Sequence, residues 1–248
     1  MKKYFFGILF VGLIVNVALA GTKISPDNQF STIRQKFENE RVVVVPIDYF
    51  DEELKIGREP IAQALVAALN KASVQIQLTD GDEYTILWEK MEDKIGGFYS
   101  AKNGQFDFKR YMQALSGVSK ILCKSWEAKY VLIPSFVLRK AEFKGQRARW
   151  DGVSIRVPIK GDFVDEDGYR RSFNFTGETQ GLSLELMVFD ENGGWVATTY
   201  GAIGVPNFYR IKSVRDEDQS MHFNSKVFSN KSVKNSVRSA LAPLLKEH

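Results

Sequence analysis

The chain has 248 residues, 44% of them hydrophobic and 26% charged, but only one cysteine and two histidines. A single thiol cannot close a disulfide within the chain, which excludes a disulfide-stapled fold and leaves stability to a hydrophobic core that a chain of this length can build. The formal net charge is +4, and two of these charges belong to Lys2 and Lys3, so the overall charge favours no particular partner.

The first twenty residues have the layout of a signal peptide. Lys2 and Lys3 precede the apolar residues 4–17, and the sequence ALA at residues 18–20 forms an A-x-A cleavage site. No later stretch approaches the ~20 apolar residues of a membrane-spanning helix. Because no cysteine follows the cleavage site to carry a lipid, the sequence predicts a periplasmic or secreted protein without a membrane span after cleavage. A retained N-terminal anchor is the alternative.

A polar leader and a buried strand are predicted next. Residues 21–40 show no sustained period and are interpreted as a leader that partly docks on the rest, with a short helix at 31–38. A single domain is predicted over residues 41–248. It begins with the continuous run VVVVPI at 42–47, which is typical of a strand covered on both faces, with Pro46 at its end.

The following segments predict a βαβ unit and a second helix. An alanine-rich helix is expected to begin at 59–60 and to lie close on a sheet, and the alternating VQIQL at 74–78 predicts a half-exposed strand. A further helix is predicted at 106–126, weakened slightly by Gly117.

The second half of the chain begins with a run of residues that repeats the pattern of the first strand. KYVLIPSFVL at 129–138 is another continuous apolar run, so it is predicted to be a second buried strand close to the first. Asp190 to Gly194 form a strong hairpin signal between two strands. A last helix at 231–246 is expected to kink at Pro243. The antiparallel strands predicted in the rest of the chain are 137–144, 152–159, 170–178, 181–190 and 194–205. The fold class is therefore α/β: a mixed central sheet flanked by helices, with an antiparallel C-terminal half and a C-terminal helix.

Basic and aromatic residues gather in KAEFKGQRARW at residues 140–150. A stripe of this kind suits nucleic acid, anionic lipid or glycan phosphate, and nucleic acid is the least available of these to an exported protein. The alternative is a solvated hairpin whose basic residues protect an edge strand. The basic residues of the stripe are Arg139, Lys140, Lys144, Arg147 and Arg149.

A second candidate contact segment is the long mixed stretch at 204–225, which is predicted to be a loop. Loops of this length in compact domains are usually functional or disordered. Aromatic and arginine side chains dominate many protein interfaces. The residues predicted to contact a partner are therefore Arg149, Trp150, Phe208, Tyr209 and Arg210.

Patterns for catalysis and metal binding are missing from the sequence. It contains no GxSxG, HExxH, Walker or GxGxxG motif, and His222 is predicted to be a loop or packing residue. DEDG at 165–168 fails as a calcium loop because carboxylates are lacking at the required positions, and it is predicted to be a turn. Cys123 is predicted to be buried, with an intermolecular disulfide or a reactive thiol as the alternatives. No catalytic residue, metal or cofactor is predicted.

Four stretches carry a resemblance to a known group of proteins. They are VVVVPIDYF, IAQALVAALNKA, EAKYVLIPSFV and LELMVFDENGGWVATTYGA, and the closest matches lie at 128–132 and 190–196. Over residues 41–245 the order of elements resembles the periplasmic α/β domain of the CsgG-like curli-secretion subunits and the N-terminal domain of TolB. The chain has Pro134-Ser135 where that group has a glycine, and it lacks the lipid-bearing cysteine of the secretion subunits. The resemblance implies a non-enzymatic role in envelope assembly, export or regulation.

The function predicted from the sequence is contact between proteins in the cell envelope. The expected partners are envelope proteins, with self-association included, and an anionic envelope glycan or lipid is a further candidate; nucleic acid is not expected. The alternative function is an exported hydrolase of glycan or peptide that uses carboxylates, such as those at 51–53.

Overall fold

The structure, a computed structural model, describes residues 37, 39–49, 51–100, 102–157, 175–210 and 220–245. The signal peptide predicted at 1–20 and the turn predicted at 165–168 lie outside the described residues, as does most of the leader. At the end of the leader, Phe37 is helical and fully buried, with its ring 5.4 Å from that of Tyr130. This part of the leader therefore docks on the domain.

Seven strands in the described part of the chain form one mixed sheet, ordered β2-β1-β3-β4-β5 along one path. Strand β6 lies on the other edge of β3, and β7 lies beyond β6. β1 is parallel to β2 and β3, whereas the remaining pairs are antiparallel. The strands are β1 (Arg41–Val44), β2 (Gln75–Leu78), β3 (Tyr130–Gly145), β4 (Arg147–Trp150), β5 (Val153–Arg156), β6 (Phe175–Asp190) and β7 (Trp195–Gly204).

Helices cover both faces of this sheet. The described helices are α1 (Arg58–Lys71), α2 (Gly81–Ile95), α3 (Phe108–Trp126) and α4 (Asn230–Leu241). α1 and α4 pack on one face against Leu182, Leu184 and Leu186, whereas α2 and α3 pack on the other against Met187 and Phe189. The predicted α/β domain with a mixed sheet is confirmed.

The repeated apolar run marks two neighbouring strands, as predicted. Val42 stands opposite Tyr130 and Val44 opposite Leu132, in parallel register, and the valines of β1 are buried. Pro46 lies beyond the end of β1, where its missing N–H leaves no gap in the ladder. The strand, helix and strand from β1 to β2 form the expected βαβ unit, with parallel pairing.

Several predicted element boundaries are wrong. Two predicted strand boundaries fall inside long strands, and one predicted helix ends earlier than expected. The strand predicted at 137–144 is the second part of β3, which has 16 residues, and those predicted at 170–178 and 181–190 are joined in β6, also of 16 residues. The helix predicted at 231–246 ends at Leu241 and so stops before Pro243 instead of kinking there.

Two further elements were not predicted. Helix α2 packs one side against the core through Tyr84, Leu87, Trp88, Met91 and Ile95, which recur at helical spacing, and Gly117 of α3 lets the Met91 side chain approach closely. The segment predicted as a loop at 204–225 contains an antiparallel pair, β8 (Asn207–Arg210) and β9 (Ser220–Phe223).

Candidate functional site

One face of the sheet changes character where the helix layer ends. Because side chains alternate between the faces of a strand, Ser183, Glu185, Met187 and Phe189 of β6 share one face. Met187 and Phe189 pack against α3, whereas Ser183 and Glu185 lie beyond it. The sequence LSLELMVF records this change, because its inward positions turn from polar to apolar where the helix begins to cover the sheet.

Beyond the helices lies a polar strip, formed by Ser135, Arg139, Asp151, Glu185 and Tyr200. Ser135 Oγ donates to Glu185 Oε2 at 3.1 Å, and Tyr200 also forms a hydrogen bond with Glu185. The Arg139 guanidinium lies 3.9 Å from the centroid of the Tyr200 ring, and its Nε lies 2.6 Å from Asp151 Oδ1. Each charged group of the strip therefore has a partner within the strip.

The far end of the strip is sealed by Trp150. Its Nε1 donates to Ser183 Oγ at 2.9 Å, and Ser183 in turn donates to Asp151 Oδ2 at 2.6 Å. The indole lies directly on Gly181, where an added Cβ would come within 2.3 Å of the ring. Only 6% of Trp150 is exposed. The prediction that Trp150 contacts a partner is therefore wrong, because the ring is part of the core.

A tight turn sets the position of Asp151. Asp151 and Gly152 join β4 to β5 with φ angles of 45° and 73°, the left-handed values that a two-residue type I′ hairpin requires. This turn was not predicted, although the dipeptide Asp-Gly after RARW is its signal. The turn places the Asp151 carboxylate over the sheet, within reach of both Arg139 and Ser183.

Burial changes the acid–base behaviour of the strip. It raises the pKa of Glu185, while hydrogen bonds from Tyr200 and Ser135 and the charge of Arg139 act in the opposite direction. Burial, together with the charge of Glu185, raises the pKa of Tyr200 to about 12. The strip therefore offers a carboxyl that takes up a proton more readily than an ordinary glutamate. This is a property of general acids, although it also follows from burial alone.

A second carboxyl lies where β1 leaves the sheet. Asp48 forms a backbone bridge with Ser135, since its N–H donates to the Pro134 carbonyl at 3.0 Å and its own carbonyl accepts from Phe136 at 3.0 Å. Loss of hydration at the carboxyl raises the pKa of Asp48, against the hydrogen bond from the Tyr49 N–H and the charge of Arg58, although the residue as a whole is exposed. In the described part of the chain, no three acidic, histidine or cysteine side chains are grouped so as to hold a metal ion.

The opposite face of the same strands carries a basic face, formed by Lys144, Arg147, Arg149 and Arg156. In the register, Lys144 stands opposite Arg147, and Arg147 stands opposite Arg156, so three cations form one row across β3, β4 and β5. All four side chains are exposed, and the exposed Glu142 of β3 stands opposite Arg149 on the same face. None of them forms an ion pair with a residue that the structure describes.

Hydrogen bonds hold part of the basic face in place. Arg147 donates to Ser154 through Nε and Nη2, and Arg156 donates to Gln146 Oε1 at 2.9 Å. These bonds orient the guanidinium groups without neutralising them. The basic stripe of the sequence is thus a hairpin, as its alternative interpretation expected, and Arg149 lies on its exposed side.

The remaining predicted contact residues lie elsewhere. Phe208, Tyr209 and Arg210 form β8, in which Phe208 stands opposite His222 of β9. Strand β8 pairs with β9 in a two-stranded sheet, separate from the seven-stranded sheet that carries Arg149. Their side chains lie outside the described residues. His222 was predicted to be a loop or packing residue. The structure places it in a strand, β9, and not in a loop.

Cys123 is buried on α3, as predicted, with 2% of its surface exposed. Burial, together with the nearby charges of Glu191 and Asp190, raises the pKa of the thiol to about 12. A thiol in this state is a poor nucleophile at neutral pH. Among the described helices, none is both long enough and apolar enough to span a membrane.

Comparison with known proteins identifies no family. No family model and no curated protein matches the chain. Among solved structures, the PelC dodecamer from Paraburkholderia phytofirmans shares 14% identity at a TM-score of 0.34, covering 84% of this chain and 89% of PelC. A variant of the same protein shares 12% identity at a TM-score of 0.36, covering 84% and 90%. These values describe a distant likeness and carry no argument about function.

Proposed function

We propose that the chain is an exported, non-enzymatic protein that acts in cell-envelope assembly, secretion or its regulation, through contact between its basic face and an acidic partner. The observation that carries the proposal is the row of Lys144, Arg147 and Arg156 across three adjacent strands. The resemblance to the periplasmic domain of curli-secretion subunits and of TolB agrees with it.

The three cations of the row repel one another. Like charges directly opposite one another on neighbouring strands destabilise a sheet, by roughly 0.2–1 kcal/mol for a pair. The hydrogen bonds of Arg147 to Ser154 and of Arg156 to Gln146 orient the cations but leave this repulsion in place. An acidic partner surface removes the repulsion on contact, and it also attracts the basic face over a distance, which raises the rate of association.

Crosslinking in the native host tests this proposal. The variant carries Lys144→Gln, Arg147→Gln and Arg156→Gln, and we expect it to fold normally and to lose most of its crosslinked partner. The matched control carries Lys71→Gln, Lys120→Gln and Lys124→Gln, exposed lysines on α1 and α3, and removes the same charge. If both variants retain the partner, or lose it equally, the basic face is not the contact surface.

Export is a separate part of the proposal, supported by the signal-peptide layout of residues 1–20. We expect protein isolated from the native host to begin at Gly21. Its intact mass decides this, since a chain that retains residues 1–20 contradicts the export of a cleaved product.

An exported hydrolase that uses carboxylates is the second candidate. The observation in its favour is Glu185, whose carboxyl binds Ser135 and Tyr200 and has a raised pKa. The variant Glu185→Gln keeps the size and hydrogen-bonding ability of the side chain but removes the acid. Hydrolysis of envelope glycan or peptide by the normal chain, lost in this variant while the fold persists, would move the function to the polar strip.

A further inference from the structure

A groove runs between α3 and the turn from β6 to β7, apart from both the polar strip and the basic face. Its volume is about 330 Å³, near the lower end of the roughly 300–1,000 Å³ that small-ligand sites occupy. Trp195 forms one wall and is 55% exposed, a large fraction for an apolar side chain of this size. The groove is lined by Lys109, Met112, Gln113, Ser116, Phe189, Gly193 and Trp195.

The turn holds Trp195 in a fixed position. The Asp190 carboxylate accepts hydrogen bonds from the backbone N–H groups of Asn192 and Gly194, at 2.9 and 2.7 Å. Gly193 lies so close to α3 that an added Cβ would be 2.5 Å from the carbonyl oxygen of Ser116. The exposed ring therefore stands on a rigid support, which lowers the entropy lost when a ligand binds.

The indole also has a defined orientation. Its Nε1 donates to Thr198 Oγ1 at 3.0 Å, so the only polar hydrogen of the ring is used within the chain. Trp195 lines the groove and is largely exposed, so its apolar ring is free to pack against a ligand there.

The opposite wall is polar. Lys109, Gln113 and Ser116 stand at i, i+4 and i+7 on α3, so they line one side of that helix. Lys109 forms no ion pair with any residue described by the structure. The groove thus combines a flat aromatic face with an amide, a hydroxyl and an unpaired cation.

We infer that this groove binds an acidic sugar residue of a glycan, with the sugar ring stacked on Trp195 and its carboxylate at Lys109. A sugar ring has C–H faces that pack on an aromatic ring and hydroxyl groups that bind an amide or a hydroxyl. A uronic acid also carries a carboxylate, which would be the negatively charged partner that Lys109 lacks among the described residues. This site goes beyond the contact function proposed above and does not require the basic face.

Calorimetric titration of the full chain with an alginate hexasaccharide tests the inference, with neutral maltohexaose as the comparison. We expect the acidic sugar to bind more tightly. Trp195→Ala should weaken its binding roughly tenfold or more, whereas Trp195→Phe should restore part of it. Lys109→Gln should reduce binding of the acidic sugar to the level of the neutral one, and the control Lys120→Gln, on the same helix, should change little.

Four outcomes would overturn the inference. They are failure of the acidic sugar to bind, equal binding of the neutral sugar, unchanged binding in Trp195→Ala, and dimerisation through Trp195 in place of sugar binding, as seen by sedimentation. The basic-face variant with Lys144→Gln, Arg147→Gln and Arg156→Gln separates this site from the proposed contact surface. It should bind the sugar normally, and loss of sugar binding in that variant alone would place the sugar on the basic face.

Discussion

The polar strip and the basic face lie on opposite faces of the same strand, β3. The two faces differ in whether their charged side chains have partners within the fold. In the strip, Arg139 has both Asp151 and the Tyr200 ring as partners, and only 7% of the Asp151 side chain is exposed. On the basic face, Lys144 and Arg147 stand side by side, and neither forms an ion pair with a described residue. The difference teaches that the charges of the strip are paired within the fold, whereas the cations of the basic face are exposed and form no ion pair with a described residue.

The largest expected effect comes from removing the ring that seals the strip. Trp150→Ala should lower the free energy of unfolding by about 3–5 kcal/mol, because it empties a well-packed site and leaves Ser183 without its donor. Urea denaturation measures this. The control is Trp195→Ala, which removes an exposed ring and should change stability by about 0.5 kcal/mol or less. Similar losses in the two variants would show that Trp150 is not a core residue.

A smaller effect is expected when the charge of the strip is removed. Asp151→Asn can keep the left-handed turn, but it weakens the bonds to Arg139 and Ser183, so we expect a loss of about 1.5–3 kcal/mol. Lys140→Gln is the matched control, since its pair with Glu178 is exposed on the opposite face and should contribute about 0–1 kcal/mol. Equal effects in denaturant titrations would remove the contrast between the two faces.

Neutralisation of the basic face should change stability little. The variant with Lys144→Gln, Arg147→Gln and Arg156→Gln removes the repulsion in the row, roughly 0.2–1 kcal/mol, and also the hydrogen bonds of Arg147 to Ser154 and of Arg156 to Gln146, so its melting temperature should stay nearly the same. A marked fall on thermal unfolding would mean that these side chains support the fold as those of the strip do.

The smallest expected effect is a change in pH dependence. The pKa of Glu185 is raised in the folded state, so the folded chain holds this proton more tightly than the unfolded chain does. The resulting stability is fully present below the unfolded pKa and is lost as pH rises through the folded value. Glu185→Gln should therefore flatten the decrease in stability with rising pH just above the ordinary glutamate range. An unchanged pH profile would show that Glu185 is not perturbed.

Part of this comparison could be predicted from the sequence. The two continuous apolar runs predicted β1 and β3 as buried neighbours, because only strands covered on both faces are apolar at every position. The same alternation rule applied to RARW would have placed Trp150 on the face opposite Arg149, and hence in the core. The aromatic ring was assigned to a partner because it follows a basic stripe in the chain, whereas burial depends on the face of the strand.

Other features could not be predicted because they depend on register. Lys144, Arg147 and Arg156 are spaced irregularly along the chain and become a row only when the strands pair, which no local pattern fixes. Helix α2, by contrast, was open to prediction, since Tyr84, Leu87, Trp88, Met91 and Ile95 recur at helical spacing and pack against the core.

A photoreactive side chain placed on each face in turn tests the central claim most directly. Thr176 is exposed and stands opposite Lys144 in the register, whereas Val137 lies on the face of the strip, between Ser135 and Arg139 along β3. Irradiation of cells of the native host should give an adduct with an acidic partner from position 176 and none from position 137. The adduct should disappear when Lys144, Arg147 and Arg156 are replaced by glutamine. An adduct from position 137 alone would contradict the account and make the polar strip the contact surface.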